Sequence, residues 1–389
     1  MNVHAGLVRR PGTRGRLVGA VTAGVIAATM ALAPAAPALA GSQSPPGASQ
    51  SAAASRTADV MTRNLYLGAD LTPIIAAITG GDPNAIVAAA TQTWNTVQAS
   101  DPEQRMAAIA DEIAKARPAA VGLQEVTTWT TYAYNPATRQ SSNPQVAYDF
   151  LDLLLKALAD RGMTYHEVTD ATSHNFTTPA PIPVLASPTA TFPTKAVSLA
   201  DRDVILRRDD VKAWNGHHGN FNTILKPPYA PLEVARGWGS TDLRTKLATF
   251  RFVNAHTEAW GPEAIRIGQV MELFAAQEAI TQQDGSLPTV YVGDYNSAAT
   301  TAGAYQTLDS RLDDAWLEAG APLPGNTCCQ LGDLSNQTSI LRERIDLVMA
   351  SPSVVAKSAY LTGTTPIDLP GETWWASDHA GVVARLVIQ

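Results

Sequence analysis

Cysteine is nearly absent: the 389-residue chain has two, Cys328 and Cys329, and they are neighbours. This excludes a disulfide framework and a thiolate zinc site, both of which need several separated cysteines. In an oxidising medium the pair can close as a vicinal disulfide that stiffens one loop. As a metal site, two adjacent thiols lack a third ligand nearby in sequence. Basic residues are also few, 28 against 35 acidic, for a net charge of −7. Four of them, Arg9, Arg10, Arg14 and Arg16, crowd the N-terminus; without these, 24 face 35 and the charge is −11. Gripping duplex DNA without sequence preference takes a basic face, so nucleic acid is not the partner this charge favours. Beyond residue 40 there is no apolar run of membrane-spanning length, no internal repeat and no second linker.

The first 40 residues combine that basic start with an apolar stretch from Leu17 to Ala33 and the small-residue site Ala38-Leu39-Ala40. This is the pattern of a secretory signal peptide cleaved before Gly41, and it predicts a secreted protein with no transmembrane segment left after cleavage. Residues 41–57 are Ser, Ala, Gln, Gly and Pro for the most part, a composition that cannot bury a core and predicts a disordered linker. The rest, 58–389, is long for one domain but suits a single large α/β domain, expected to be a monomer.

Within it, apolar strand patterns alternate with helical ones. Strands are expected at Val60–Asn64, Ala119–Leu123, Thr164–Val168, Val204–Leu206, Ala248–Ala255, Thr289–Val292 and Ala380–Ile388. Helices are expected at Leu71–Gly80, from Asp101-Pro102-Glu103 to Pro118, at Val146–Asp160, and at Pro262–Gln282. Thr127–Pro144 and Thr172–Pro193, rich in Pro, Thr, Asn and Ser, read as long surface loops.

The polar residues at strand ends carry the chemistry. Trp375-Ala376-Ser377-Asp378-His379 precedes the last apolar run, and three similar clusters come before it. They are Leu123-Gln124-Glu125, Gly293-Asp294-Tyr295-Asn296 and Arg344-Ile345-Asp346. A single acid after an apolar run is usually a turn residue or a helix cap. The ordered set of Asn64, Glu125, Asp294, Asn296, Asp346, Asp378 and His379 supplies more: hard oxygen ligands, a carboxylate base, a carboxamide and an imidazole.

In these motifs and their order the chain resembles the endonuclease/exonuclease/phosphatase superfamily, over about Val60 to Ile388. The resemblance implies a four-layer α/β sandwich, two mixed β-sheets packed face to face with helices on both outer sides. It also implies metal-dependent hydrolysis of a phosphodiester: a lipid headgroup, a small diester or a nucleic acid. Glu125 would be the principal ligand of magnesium, or of manganese in its place, with Asn64 and Asp378 beside it. Asp294 would orient or deprotonate the attacking water, and Asn296 would bind phosphoryl oxygens. His379 would face phosphorus with its tautomer fixed by Asp346, and His256 would be a second imidazole on the phosphate. Tyr66 stands where some branches carry another acid; Asp70 is the nearest substitute. His217-His218 read as a surface loop, Arg344 as a salt-bridge residue, and Trp129, Tyr132, Tyr134, Trp238, Trp260, Trp374 and Trp375 mainly as packing. An extracellular nuclease and a catalytically inactive binding protein on the same fold are the competing readings.

Overall fold

The computed structural model describes residues 56–226, 234–367 and 375–389. The predicted leader, nearly all of the predicted linker, and Trp374 lie outside them. In chain order the elements are β1 (Thr57–Asn64), α1 (Thr72–Gly80), α2 (Pro83–Ala99), α3 (Pro102–Ala116), β2 (Ala120–Gln124), β3 (Thr128–Asn135), β4 (Gln140–Asp149) and α4 (Phe150–Asp160). There follow β5 (Tyr165–Glu167), β6 (Ser173–Thr177), β7 (Ile182–Val184), β8 (Lys195–Arg208), β9 (Lys212–Asn220), β10 (Gly237–Arg244), β11 (Thr249–His256) and α5 (Glu263–Asp284). The chain closes with β12 (Thr289–Asp294), α6 (Gly303–Asp309), β13 (Asp313–Asp314), α7 (Ala315–Glu318), β14 (Asp346–Ala350), β15 (Val354–Thr362) and β16 (Gly381–Ile388).

The strands form two mixed sheets. One runs β15-β16-β1-β2-β8-β3-β4, with β5, β6 and β7 also paired to the long β8; the other runs β13-β14-β12-β11-β10-β9. Alternation along each strand sorts its apolar side chains between two layers. In β1, Val60 faces the second sheet while Met61 faces the helices outside. In the second sheet, Phe252, Val290 and Val292 point toward the first, and Val253, Tyr291 and Leu347 point toward α5 and α6. Met106, Ile109 and Ile113 of α3 and Leu151 and Leu154 of α4 cover the other outer face. The architecture is therefore the expected one of helix, sheet, sheet and helix.

Where the sheets touch most closely the sequence uses glycine. A Cβ on Gly122 would meet Val292 Cγ2 at 2.5 Å and Asn254 Oδ1 at 2.6 Å. Asn254, buried at that contact, accepts from Gln124 Nε2 at 2.6 Å and donates to the Leu123 carbonyl at 2.9 Å, so one carboxamide ties the sheets together. This contact sets the height of β2, and with it the position of Glu125.

Several expectations need correction. Thr127–Pro144 is not a loop: most of it forms the β3–β4 hairpin, whose Trp129, Tyr132 and Tyr134 alternate with threonine and alanine. Much of 172–193 likewise pairs with β8 as β6 and β7. The helix expected from Val146 begins at Phe150, because Asp149 caps it and residues 146–149 stay in β4. His217 and His218 lie in β9, not in a loop, and His217 Nε2 contacts Asp284 at 2.6 Å. The segment Phe221 to Tyr229, whose sequence suits either an exposed apolar hairpin or an ordinary strand and turn, lies partly outside the described residues.

Candidate active site

Strand register brings the polar residues to one end of both sheets. In parallel β1 and β2, Asn64 is opposite Gln124, so Asn64 and Glu125 leave the first sheet together. In parallel β11 and β12, His256 is opposite Asp294. Antiparallel β14 starts at that level, with Asp346 opposite Asp294. His379 enters two residues before β16, and Ser377 locks its approach by donating to the Asn64 carbonyl at 2.8 Å and accepting from His379 N at 3.1 Å. Gly293, at φ 150°, allows this convergence, since a Cβ there would meet the Ala255 carbonyl oxygen at 1.9 Å.

Asp294 Oδ2 is the meeting point. It accepts from Asn64 Nδ2 at 3.1 Å and lies 3.7 Å from His256 Nε2 and 3.8 Å from His379 Nε2. Each imidazole is backed by its own acid: His379 Nδ1 is 2.8 Å from Asp346 Oδ2, and His256 Nδ1 is 3.4 Å from Asp203 Oδ1. The site is thus built as two Asp-backed histidines facing one carboxylate. Asp203 is a functional residue that sequence reasoning missed, and so is Arg236, whose Nη1 lies 3.3 Å from His256 Nε2. Asp203 is held by Asn175 Nδ2 at 2.8 Å, and Asn175 also reaches Asp201 at 3.3 Å. Two acids in one buried stretch of strand, Asp201-Arg202-Asp203, were the available signal.

Glu125 and Asn296 both sit in left-handed backbone, at φ 57° and 46°. For residues other than glycine this conformation is uncommon and marks a position fixed by its surroundings. Glu125 Oε2 accepts from Leu67 N at 2.7 Å; Asn296 donates Nδ2 to the Thr257 carbonyl at 3.0 Å and its backbone N–H to Asp294 Oδ1 at 2.9 Å. One amide hydrogen of Asn296 remains for a phosphoryl oxygen. Glu125, Asn296 and Asp378 are half-buried, whereas Asp294, Asp346, His256 and His379 are buried.

Electrostatics follow from crowding. Burial raises the Asp294 pKa and Asp346 adds to this, against His379 and His256. Desolvation, with Glu125 and Asp294 adding to it and His379 opposing, pushes Asp378 up to about 7. Burial, Asp203 and Glu125 push Asp201 up to about 7 as well. Burial opposes charge on His379, yet Asp346, Asp378 and Asp294 outweigh it and raise its pKa well above the ordinary value. His256 is raised too: burial and Arg236 oppose its charge, and Asp203 and Asp294 prevail. His379 therefore favours the cationic form at neutral pH, and His256 is shifted in the same direction.

The donor set fits a hard dication. Glu125, Asp201, Asp203, Asp294, Asp346 and Asp378 outnumber the basic groups His256, His379, Arg236 and Arg105, and buried Asp346 Oδ1 and Asp201 Oδ1 have no hydrogen-bond partner. Oxygen-rich, uncompensated negative charge at a half-open cleft is the setting of a magnesium or manganese ion. Asp294, Asp346 and His379 bring their ligating atoms within 4.8 Å of one another, and so do Cys328, Cys329 and His379. Asp70 is exposed and accepts from Thr72 N at 2.8 Å, two residues on in the chain. Tyr66 is buried and donates its hydroxyl to the Gly332 carbonyl. Arg344 pairs with buried Asp314 at 2.7 Å, the salt bridge expected of it. Cys328 and Cys329 are joined as a vicinal disulfide whose Cys329 Sγ lies 3.9 Å from His379 Nε2. The third group near this pair is thus the imidazole, distant in sequence. Trp129 and Trp375 are buried, and Trp260 is partly exposed.

No protein of curated function matches the chain in sequence. Among solved structures, an endonuclease/exonuclease/phosphatase family protein from Bacteroides thetaiotaomicron is similar over 86% of this chain and 98% of its own, at 19% identity and a TM-score of 0.52. A mannosyl-6-phosphatase of the same organism is similar over 85% of this chain and 100% of its own, at 18% identity and a TM-score of 0.50. At such identities these likenesses speak for the fold. A sequence profile of the Endonuclease/Exonuclease/phosphatase family matches residues 93–379, a span that takes in Glu125, His256, Asp294, Asp346 and His379. With that match over most of its length, and two facing sheets that gather these residues at one end, the chain belongs to the endonuclease/exonuclease/phosphatase family.

Proposed function

We propose that this protein is a secreted, magnesium-dependent phosphodiesterase. The observation that carries the reading is Asp294 Oδ2 set between two Asp-backed imidazoles, 3.7 and 3.8 Å away. A phosphodiester is anionic, and a nucleophile approaching it is repelled until that charge is balanced. Magnesium held by Glu125, Asn64 and Asp378 would neutralise phosphoryl oxygens and polarise the P–O bond. The chain's own residues do the rest. Asp294, its pKa raised by burial, orients a water and takes its proton, since a base works best with a pKa brought toward neutrality. His379, held as a cation, and His256 donate hydrogen bonds to charge that develops on the phosphoryl oxygens. Asp346 and Asp203 fix the ring orientations, and Asn296 adds a neutral donor.

Secretion is supported by the basic, apolar and small-residue pattern of residues 1–40. Among the described residues no helix is long and apolar enough to cross a membrane. The acidic charge supports a diester other than duplex DNA, and because one similar structure is that of a mannosyl-6-phosphatase, monoesters are a required arm of the test. Purified protein with magnesium should hydrolyse bis-p-nitrophenyl phosphate faster than p-nitrophenyl phosphate and leave supercoiled DNA intact. Preferential nicking of the DNA would establish the nuclease reading, and inertness toward every ester would establish a binding protein.

A further inference from the structure

Beside the catalytic cleft lies a cavity of about 300 Å³ with a mostly apolar lining, between α1 and the strands β6, β7 and β8. This is the lower end of the range for small-molecule pockets. Its wall includes Leu71, Ile75 and Ile78, which recur at i, i+4 and i+7 and so share one side of α1. These three are only half-buried; within α1 itself Ile74 alone is fully buried. A short, strongly apolar helix thus turns a row of large side chains toward an open cavity, although burying them would be favourable. Phe176, Ile182 and the partly exposed Trp260 complete the apolar lining used here.

The cavity borders residues that hold the catalytic centre. Leu67 lines it, and the Leu67 backbone N–H donates to Glu125 Oε2 at 2.7 Å. Arg236 and Asp201 are its charged residues, the first beside His256 and the second sharing Asn175 with Asp203. An ester group on a phosphorus held at Asp294 and the two imidazoles would have to pass Arg236 to reach this cavity. Its remaining walls carry no row of cations that would track a nucleic acid backbone, and the hydroxyls of Thr72, Thr93, Thr178 and Ser198 interrupt a surface that is otherwise apolar.

Building on the phosphodiesterase reading, we propose that the cavity is a binding site for an unbranched hydrocarbon chain carried by the phosphoester. The substrate is then a dissolved amphiphile with one short alkyl or acyl chain in the pocket. In a test reaction, water adds to phosphorus of an alkyl p-nitrophenyl phosphate, the bond to the nitrophenol oxygen breaks, and the products are the alkyl phosphate and p-nitrophenol. Burial of each methylene then raises affinity for transition state and ground state alike.

Two measurements test this. Calorimetric binding of methyl-, butyl- and hexylphosphonate, with magnesium and without turnover, should tighten by roughly two- to fourfold per added methylene. The kcat/KM for methyl, butyl, hexyl and octyl p-nitrophenyl phosphates should rise with a similar slope, at concentrations below micelle formation. Ile78→Asn and Ile75→Asn, on a partly exposed helix face, should each cut the hexyl-to-methyl ratio at least tenfold. Flat phosphonate affinities overturn the proposal, as does a rate that climbs only above the micelle threshold. Failure to hydrolyse any ester, with chain-dependent phosphonate binding intact, would remove the phosphodiesterase reading and leave the chain site standing.

Discussion

At the scale of single residues, the site divides labour between two carboxylates of unlike setting. Glu125 is half-buried and meets a backbone N–H, while Asp294 is buried among two imidazoles and a carboxamide. Glu125→Gln should weaken magnesium binding, with part of the lost turnover recovered at high magnesium. Asp294→Asn should depress kcat at every magnesium concentration, by about a hundred- to ten-thousand-fold. A magnesium titration of both variants checks this, and rescue of the second but not the first would exchange the roles. The His379–Asp346 pair makes a pH prediction. Asp346 helps to hold the imidazole pKa well above its ordinary value, so the cation persists to higher pH and is lost as pH rises through that value. In Asp346→Asn the alkaline limb of the kcat/KM profile should therefore move to lower pH, with kcat reduced at least tenfold. An unmoved alkaline limb would remove the imidazolium from the mechanism.

Elements decide which residues could be read in advance. Asn64, Glu125, Asp294, Asp346 and His379 were legible because each borders an apolar run, and a strand end is a place the sequence marks. Asp203 was not, since it lies inside β8 and gains meaning only from His256 on a strand of the other sheet. The β3–β4 hairpin was misread because Pro, Asn and Ser at its tip outweighed the alternating aromatics that pair its strands. Nor does α2, an Ala, Thr, Gln and Asn sequence with few large apolar residues, announce itself; Trp94 and Val97 bury it from one side.

Asp149 shows what an element's end can carry. It accepts from Leu151 N at 3.0 Å and Asp152 N at 3.2 Å at the start of α4, and receives Arg202 Nη2 at 2.9 Å and Thr128 Oγ1 at 2.7 Å. Burial opposes its charge, but Thr128, Arg202 and the helix N–H outweigh this and hold its carboxyl below the usual range. A carboxylate with a depressed folded pKa gives stability that is complete above its unfolded value, about 3.9, and fades as pH falls through the folded value. Asp149→Ala should cost about 1–3 kcal/mol at neutral pH. In Asp149→Asn the loss of stability below about pH 4 should be shallower than in the parent, as urea unfolding across pH would record.

For the whole molecule, the surplus of acids around the cleft links folding to the metal. A ligand that binds the folded state alone stabilises it by about 2.7 kcal/mol at one hundred times its dissociation constant. Magnesium should accordingly raise the unfolding temperature, a chelator should abolish turnover, and readdition should restore both. Glu125→Gln should show a smaller thermal shift at equal magnesium. Full activity in excess chelator would refute the metal requirement outright.

The pairing of β1 with β16 has a geometric consequence. Thr57 is opposite Val387 and Ile388 N donates to the Arg56 carbonyl at 2.8 Å, while Thr62, opposite Val382, leads on to Asn64 and the approach of His379. Arg56 and Gln389 thus emerge side by side at the pole away from the chemistry. The segment from Arg56 to Gln389 nearly meets itself there. It could be closed through a few residues and reopened at the exposed hairpin tip between Pro136 and Arg139 without displacing a site residue.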